Sequence, residues 1–278
     1  MELHLGFSPC PNDTFIFDAM LHGKIDTEGI TFIPVIEDVE TLNQKALQQE
    51  LAITKLSYHA FAHLVDKYIL LDAGSALGFG VGPLLISKNK IENIEDKIAN
   101  LKIGIPGKLT TANFLLNIAF PQAQQKVEMV FSEIENALIN EEIDLGLIIH
   151  ENRFTYAAKG LHKVIDLGSF WEQKTGSAIP LGGIVMSRKY DKQTLDKVNR
   201  IMASSVEFAM KNPLSSAAFV KQHAQEMEES VVVKHIQLYV NKYSLNLGVE
   251  GRKAVSTLLD SAVAQGLILP FTYPIFID

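Results

Sequence analysis

The sequence predicts an α/β protein of two lobes around a central cleft, with a helical C-terminal segment. Three observations carry that expectation. Strand-sized apolar runs alternate with helical patterns over the first two-thirds of the chain. The pattern turns helical after Asp191. Two crossings between lobes, Pro83 to Lys90 and Gly182 to Arg188, bracket an α/β block. Residues 88–187 are therefore expected to form an inserted second lobe, and residues 1–87 with 188–278 the first. Ligands favour such junctions. A single-sheet α/β domain is the simpler alternative.

Taken in order, a strand at Glu2–Phe7 leads into a helix at Asp13–Leu21, and a strand at Ile30–Val35 into a helix at Val39–Gln49. A strand at Leu51–Lys55 precedes a helix at Tyr58–Lys67, then a strand at Ile69–Ala73 and a Gly-rich loop from Gly74 to Gly82. Strands at Pro83–Ser87 and Leu101–Ile105 are followed by a helix at Thr111–Phe120 and a strand at Val127–Phe131. Ser132 and Glu135 have capping-box spacing ahead of a helix at Glu133–Asn140. Strands at Asp144–Ile149 and Lys163–Leu167, a short helix at Gly168–Gln173 and a strand at Gly183–Ser187 complete the α/β part. Alternation of this kind argues for parallel sheets covered by helices. Beyond it Leu195, Val198, Ile201, Met202, Val206, Phe208 and Ala209 recur at helical spacing. Pro213 can start a further helix, and Val231–Tyr243 and Val249–Gln265 read as two more.

The chain of 278 residues is 47% hydrophobic and 21% charged, enough to bury a substantial core without staples. With 25 Lys and Arg against 32 Asp and Glu the formal net charge is −7, and no basic cluster offsets it. A nucleic-acid partner is not expected. The single cysteine, Cys10, excludes an intrachain disulfide and a Cys-rich metal site. The N-terminus lacks the pattern of a secretory signal, and no apolar run approaches the roughly 18 residues of a membrane span. A cytoplasmic protein without membrane association is expected.

Four polar clusters each follow a predicted strand, the ligand-facing end in open α/β sheets. They are Ser8-Pro9-Cys10-Pro11-Asn12-Asp13-Thr14, Leu56-Ser57, Pro106 through Thr110-Thr111, and His150-Glu151-Asn152-Arg153. Three of them put Ser, Asn or Thr at a helix N-terminus, where unpaired N–H groups and the dipole favour an anion such as a small carboxylate. Plain N-capping demands the same residue types. His150 follows the apolar run Leu145–Ile149, and imidazole is the side chain best matched to proton transfer near neutral pH. The other histidines, His4, His22, His59, His63, His162, His223 and His235, read as structural or surface residues. His59 and His63 have i, i+4 spacing, yet no acidic third ligand and no HExxH pattern accompany them, so no metal is expected. Cys10 could be a nucleophile at a helix start, but it lies between Pro9 and Pro11 without an identifiable histidine partner. No GxSxG, Walker or GxGxxG pattern supports a serine hydrolase, a nucleotide triphosphatase or a dinucleotide oxidoreductase.

Five blocks carry a resemblance to a known family: Ser8 to Phe17, Glu37 to Asn43, Thr54 to Tyr58, Gly80 to Leu84 and Ile148 to Tyr156. They resemble the 1,4-dihydroxy-6-naphthoate synthases of the futalosine route to menaquinone, and the likeness extends to Tyr239-Val240-Asn241 and Tyr243-Ser244-Leu245. The resemblance implies a two-lobe periplasmic-binding-protein-like fold of type 2. It implies a lyase that converts cyclic dehypoxanthine futalosine to 1,4-dihydroxy-6-naphthoate without redox cofactor or metal. It makes His150 the proton acceptor and puts Lys55, Leu56, Ser57, Thr110 and Thr111 around the substrate. Ser8, Asn12, Asp13, Thr14, Asn43 and Arg153 are further candidates to line the cleft. Two competing readings share the fold: chorismate dehydratase of the same pathway, and a non-catalytic protein that binds a small carboxylate. The oligomeric state is not legible.

Overall fold

In the computed structural model, which describes residues 1–224 and 228–277, the chain opens on β1 (Glu2–Phe7), α1 (Pro11–Leu21), β2 (Thr31–Ile36) and α2 (Val39–Leu47). β3 (Ile53–Ser57), α3 (Tyr58–Ala62), β4 (Tyr68–Leu70) and β5 (Ala76–Gly78) follow. Next come β6 (Leu84–Ser87), α4 (Ile94–Lys97), β7 (Ile103–Ile105), α5 (Thr111–Ala119) and β8 (Lys126–Glu128). α6 (Ile134–Ile139), β9 (Leu145–Ile148), α7 (Asn152–Thr155), β10 (His162–Asp166) and α8 (Leu167–Thr175) lead to β11 (Ile179–Ser187). The last third is helical: α9 (Lys192–Lys211), α10 (Ala217–His223), α11 (Glu229–Tyr239), α12 (Lys242–Leu245) and α13 (Gly248–Ala264).

Two compact units result, one of Met1–Gly78 with Pro180–Asp278, the other of Phe79–Ile179. The first carries the strand order β2-β1-β3-β11-β4 with β5 against β11, the second β10-β6-β9-β7-β8. Each crossing strand lies on the other side of its boundary from the division expected above. β6 pairs with β9 and β10, so it belongs to the inserted unit. β11 pairs with β3 and β4 in the first. An apolar run shows that a strand exists; only its partners decide which sheet holds it.

The sheets are mixed, not parallel. β1 is parallel to β2 and β3, and β7 to β8 and β9, as βαβ units require. β11 runs antiparallel to β3 and β4, and β6 antiparallel to β9 and β10. A strand that enters a sheet from elsewhere in the chain is not bound to the direction a helical crossover imposes. β5 lies inside the Gly-rich loop, where no strand was expected. The expected capping box also fails: α6 starts at Ile134 without a side-chain cap, after a 3₁₀ turn at Phe131–Glu133.

In the first unit Leu3, Leu5 and Phe7 of β1 meet Phe15, Ile16, Phe17 and Met20 of α1 and Val198, Ile201, Met202 and Val206 of α9. Each such side chain contributes about 1.5–3 kcal/mol by leaving water. This core seats the start of α1 immediately after β1. In the second unit Leu84, Ile86 and Ile148 face Ile134, Leu138 and Ile143. There Gly82 lies against Gly168, the second residue of α8; a Cβ on Gly82 would come within 2.2 Å of the Gly168 Cα. No helix among the described residues is long and apolar enough to cross a membrane.

Candidate active site

β1 ends in Ser8-Pro9-Cys10, and Pro11 occupies the first helical position of α1, where its missing N–H costs nothing. That short turn brings Asp13, in the first turn of the helix, back over the strand end. Its Oδ2 accepts from the Ser8 amide at 3.2 Å and the Ser8 hydroxyl at 2.7 Å. Its Oδ1 accepts from Asn12 Nδ2 at 2.9 Å and from the Lys55 ammonium. Asp13 and Lys55 are both buried. A charge taken out of water is tolerable only when paired and hydrogen-bonded, and this carboxylate receives four donors while facing the positive end of a helix. Lys55 is less fully served: among the described residues Asp13 is its one partner, which uses one of three ammonium protons. Thr14 turns inward and bonds the Cys10 and Pro11 carbonyls, and Cys10 is buried ahead of α1 without capping it.

Lys55 lies on β3, whose partner β11 supplies Gly182 and Gly183 opposite Ser57 and Leu56. A Cβ on Gly182 would stand 2.9 Å from the Leu56 carbonyl oxygen and 3.0 Å from Lys55 Cε, so glycine makes room for the lysine stem. Leu56 is a fully buried strand residue. Ser57 ends the strand and holds Asn43 of α2 by two contacts, its N–H to Oδ1 at 3.0 Å and Asn43 Nδ2 to its Oγ at 3.2 Å. Its hydroxyl proton has no acceptor among the described residues. Tyr58 follows, with its hydroxyl 2.8 Å from Ser75 Oγ. Burial, helped by the negative charge of Asp72, pushes that phenol well above its ordinary range, so it stays neutral.

In the inserted unit Thr110 is the N-cap of α5. Its Oγ1 accepts from the Asn113 amide at 3.2 Å and donates to the Gly107 carbonyl at 2.8 Å. Capping accounts for this hydroxyl. Thr111, the first residue of the helix, is buried beside it.

His150 follows β9 with φ of 56°, the left-handed region, which costs a non-glycine residue about 1–3 kcal/mol unless the surroundings impose it. They do so on both flanks. The imidazole meets the Phe131 ring edge to face at 4.9 Å. Two residues on, Asn152 donates to Glu135 Oε2 at 2.7 Å, and Lys159 reaches the same oxygen at 2.6 Å. Arg153 donates to the Gly82 carbonyl at 2.7 Å and lies 3.7 Å from Asp166, so it ties the turn down. An imidazole presented on a fixed, strained turn is equipped to take and return a proton.

The structure thus joins Ser8, Asn12, Asp13 and Lys55 in one hydrogen-bonded group and Asn43 with Ser57 in another, both in the first unit. Thr110, Thr111, His150 and Arg153 lie in the second. His59 and His63 have rings 5.3 Å apart; among the described residues no group of three or more His, Cys, Asp or Glu is placed to hold a metal ion. Two polar residues have partners that the sequence reading did not assign, Glu135 having been read as half of a capping box and His235 as a structural or surface residue. Glu135 is buried and anchors the His150 turn instead of capping a helix. His235 of α11 is wholly buried, its Nε2 2.8 Å from Asn12 Oδ1. A histidine among Val231, Ile236 and Tyr239 on a helix was the available signal.

A family model described as menaquinone biosynthesis matches residues 3–264. A 1,4-dihydroxy-6-naphthoate synthase of Thermus thermophilus is 42% identical over 275 residues, 99% of each chain. One of Streptomyces coelicolor is 37% identical over 272 residues, 96% of this chain and 94% of the relative. A crystal structure of a protein from Archaeoglobus fulgidus superposes with a TM-score of 0.90 at 36% identity, over 96% of this chain and 98% of that one. The alkanesulfonate-binding protein of Xanthomonas axonopodis pv. citri superposes with a TM-score of 0.69 at 13% identity, over 99% and 96% of the two chains. That last likeness shows a periplasmic-binding-protein-like fold and nothing further.

Proposed function

Because the chain belongs to the menaquinone biosynthesis family, we propose that it is a 1,4-dihydroxy-6-naphthoate synthase, a lyase acting on cyclic dehypoxanthine futalosine. The observation that carries this reading is the match of relatives bearing that name to almost the whole chain. The site supports it. Fragmenting a carbon skeleton and aromatising the remainder needs a base that removes a proton and an acid that returns one. His150, held on its strained turn by Phe131, Asn152 and Arg153, is our candidate for both tasks. Such proton transfer supplies about two to four powers of ten in rate, and binding and alignment supply the rest.

The substrate carboxylate is assigned to donors that the protein leaves available. Lys55, with two ammonium protons beyond its bond to Asp13, and the Ser57 hydroxyl fit that role. The partner in this reading is a small-molecule carboxylate, not nucleic acid or membrane. As an enzyme of menaquinone biosynthesis the protein is assigned to the cytoplasm. The test is incubation of purified protein with cyclic dehypoxanthine futalosine and, separately, with chorismate, followed by mass spectrometry. Appearance of the naphthoate from the first substrate alone is expected. Dehydration of chorismate, or binding without product, would replace this reading with one of its competitors.

A further inference from the structure

We propose that His235, on a C-terminal helix, is a positioning residue for Lys55: through Asn12 and Asp13 it fixes where the ammonium is presented to an anionic group. The proposal rests on the reading of Lys55 as a substrate-binding residue and adds the device that aims it. The chain of contacts is continuous. His235 Nε2 lies 2.8 Å from Asn12 Oδ1, Asn12 Nδ2 donates to Asp13 Oδ1 at 2.9 Å, and the same oxygen receives Lys55. The hydrogens follow from chemistry. Turning the Asn12 amide over would set its carbonyl oxygen against the Asp13 carboxylate. The amide nitrogen therefore faces Asp13, its oxygen faces His235, and His235 Nε2 carries the donated proton.

Each link removes a freedom. Ser8 occupies Oδ2 of Asp13 with two donors, so the carboxylate cannot rotate without losing bonds. Asn12 then holds Oδ1, and His235 holds Asn12. Residues 12 and 235 are 223 positions apart, so no local turn would bring them together. Packing of α11 does not require a polar group here, since Val232, Ile236 and Val240 already lie against the core of this unit. Burying an imidazole costs free energy that a leucine would avoid, and a hydrogen bond to a group that must be aimed gives it a use. At the far end stands an ammonium with one protein partner among the described residues.

The experiment measures binding of 1,4-dihydroxy-6-naphthoate by isothermal titration calorimetry to the full chain and to His235→Leu, His235→Gln, Lys55→Gln and the His235→Leu/Lys55→Gln pair. Thermal unfolding of each is followed in parallel. The leucine variant is expected to bind about tenfold more weakly, as loss of one ordered charge-assisted contact implies. Glutamine, whose amide can still donate to Asn12, should restore binding to within about threefold of the parent chain. With Lys55 already replaced, His235→Leu should add little, because coupled residues are non-additive. Should the leucine variant not fold, His235→Asn, too short to reach, takes its place against glutamine. Unchanged affinity in the folded variant, additive losses, or no binding by the parent chain overturns the proposal. Turnover of cyclic dehypoxanthine futalosine by the parent chain is scored separately, so failure of the synthase reading is seen as loss of that reaction alone.

Discussion

Ser57 ends β3 with its Oγ accepting from Asn43 and its own proton unclaimed by any described residue. Asn43 keeps a second acceptor, Glu40 Oε2 at 3.1 Å, so removal of the hydroxyl leaves that amide served. Ser57→Ala is therefore expected to raise KM for the substrate about tenfold, the loss of one bond to a charged acceptor, while Tm stays within a few degrees. An unchanged KM in steady-state assays would move the carboxylate to other donors. Thr110 is a different case. Its hydroxyl is committed to the α5 cap, so Thr110→Ala should cost about 1 kcal/mol of stability and Thr110→Ser much less, read from urea unfolding. The sequence left capping and anion binding open for Thr110, because both select the same residue types; the fold decides between them by setting the Gly107 carbonyl within reach of the hydroxyl. Lys55 and Asp13 were legible as candidates, but their pairing was not: 42 positions separate them, and no local pattern encodes a contact between a strand and a helix turn. His235 was read as a structural or surface residue, and its contact with Asn12, 223 positions away, was not legible for the same reason.

Among the elements, the turn between β9 and α7 depends on α6 for its anchor. Glu135→Leu removes the acceptor for Asn152 and Lys159 and should lower kcat more than KM, because it frees the His150 turn without touching the binding donors. Glu135→Gln keeps an acceptor oxygen and should recover most of the loss; equal effects on both parameters would argue against the anchor. The expected capping box failed here because Glu135 found a better use in burial than at a helix start. α3 and β4 carry a pH dependence. Tyr58 is raised well above 10 and Tyr68 is pushed up to about 12, both chiefly by burial. An unfolded tyrosine ionises near 10, so between about pH 10 and 12 the unfolded chain releases protons that the native state keeps. Stability should fall as pH rises through that window. Tyr68→Phe should flatten part of the fall in thermal unfolding scans; an unchanged slope would place the cause elsewhere. Most helices and strands were legible from periodicity and caps, as with β1, predicted at the bounds observed. β5 was not, because Ala76–Gly78 is too short and glycine-flanked to announce a strand.

Across the molecule, two sheets with separate cores were foreseeable from the alternation of elements, and the helical last third from its spacing. The direction of β6 and β11 was not, since strand partners are set by long-range packing. Gly82 and Gly168 show how closely that packing is fitted within the inserted unit. The enzymatic reading was legible earlier than any of this, in the blocks around Ser8 and His150, while the physical basis for the His150 turn became visible only with Phe131, Glu135 and Arg153 in place. In the proposed function this chain makes the naphthoate with His150 as the proton acceptor. The most direct measurement is the rate of 1,4-dihydroxy-6-naphthoate formation from cyclic dehypoxanthine futalosine by the parent chain and by His150→Ala, with matched thermal unfolding. Product from the parent chain is expected, with a rate lower by about 10²–10⁴ in the variant at similar Tm. Near-equal rates in a folded His150→Ala protein would contradict it.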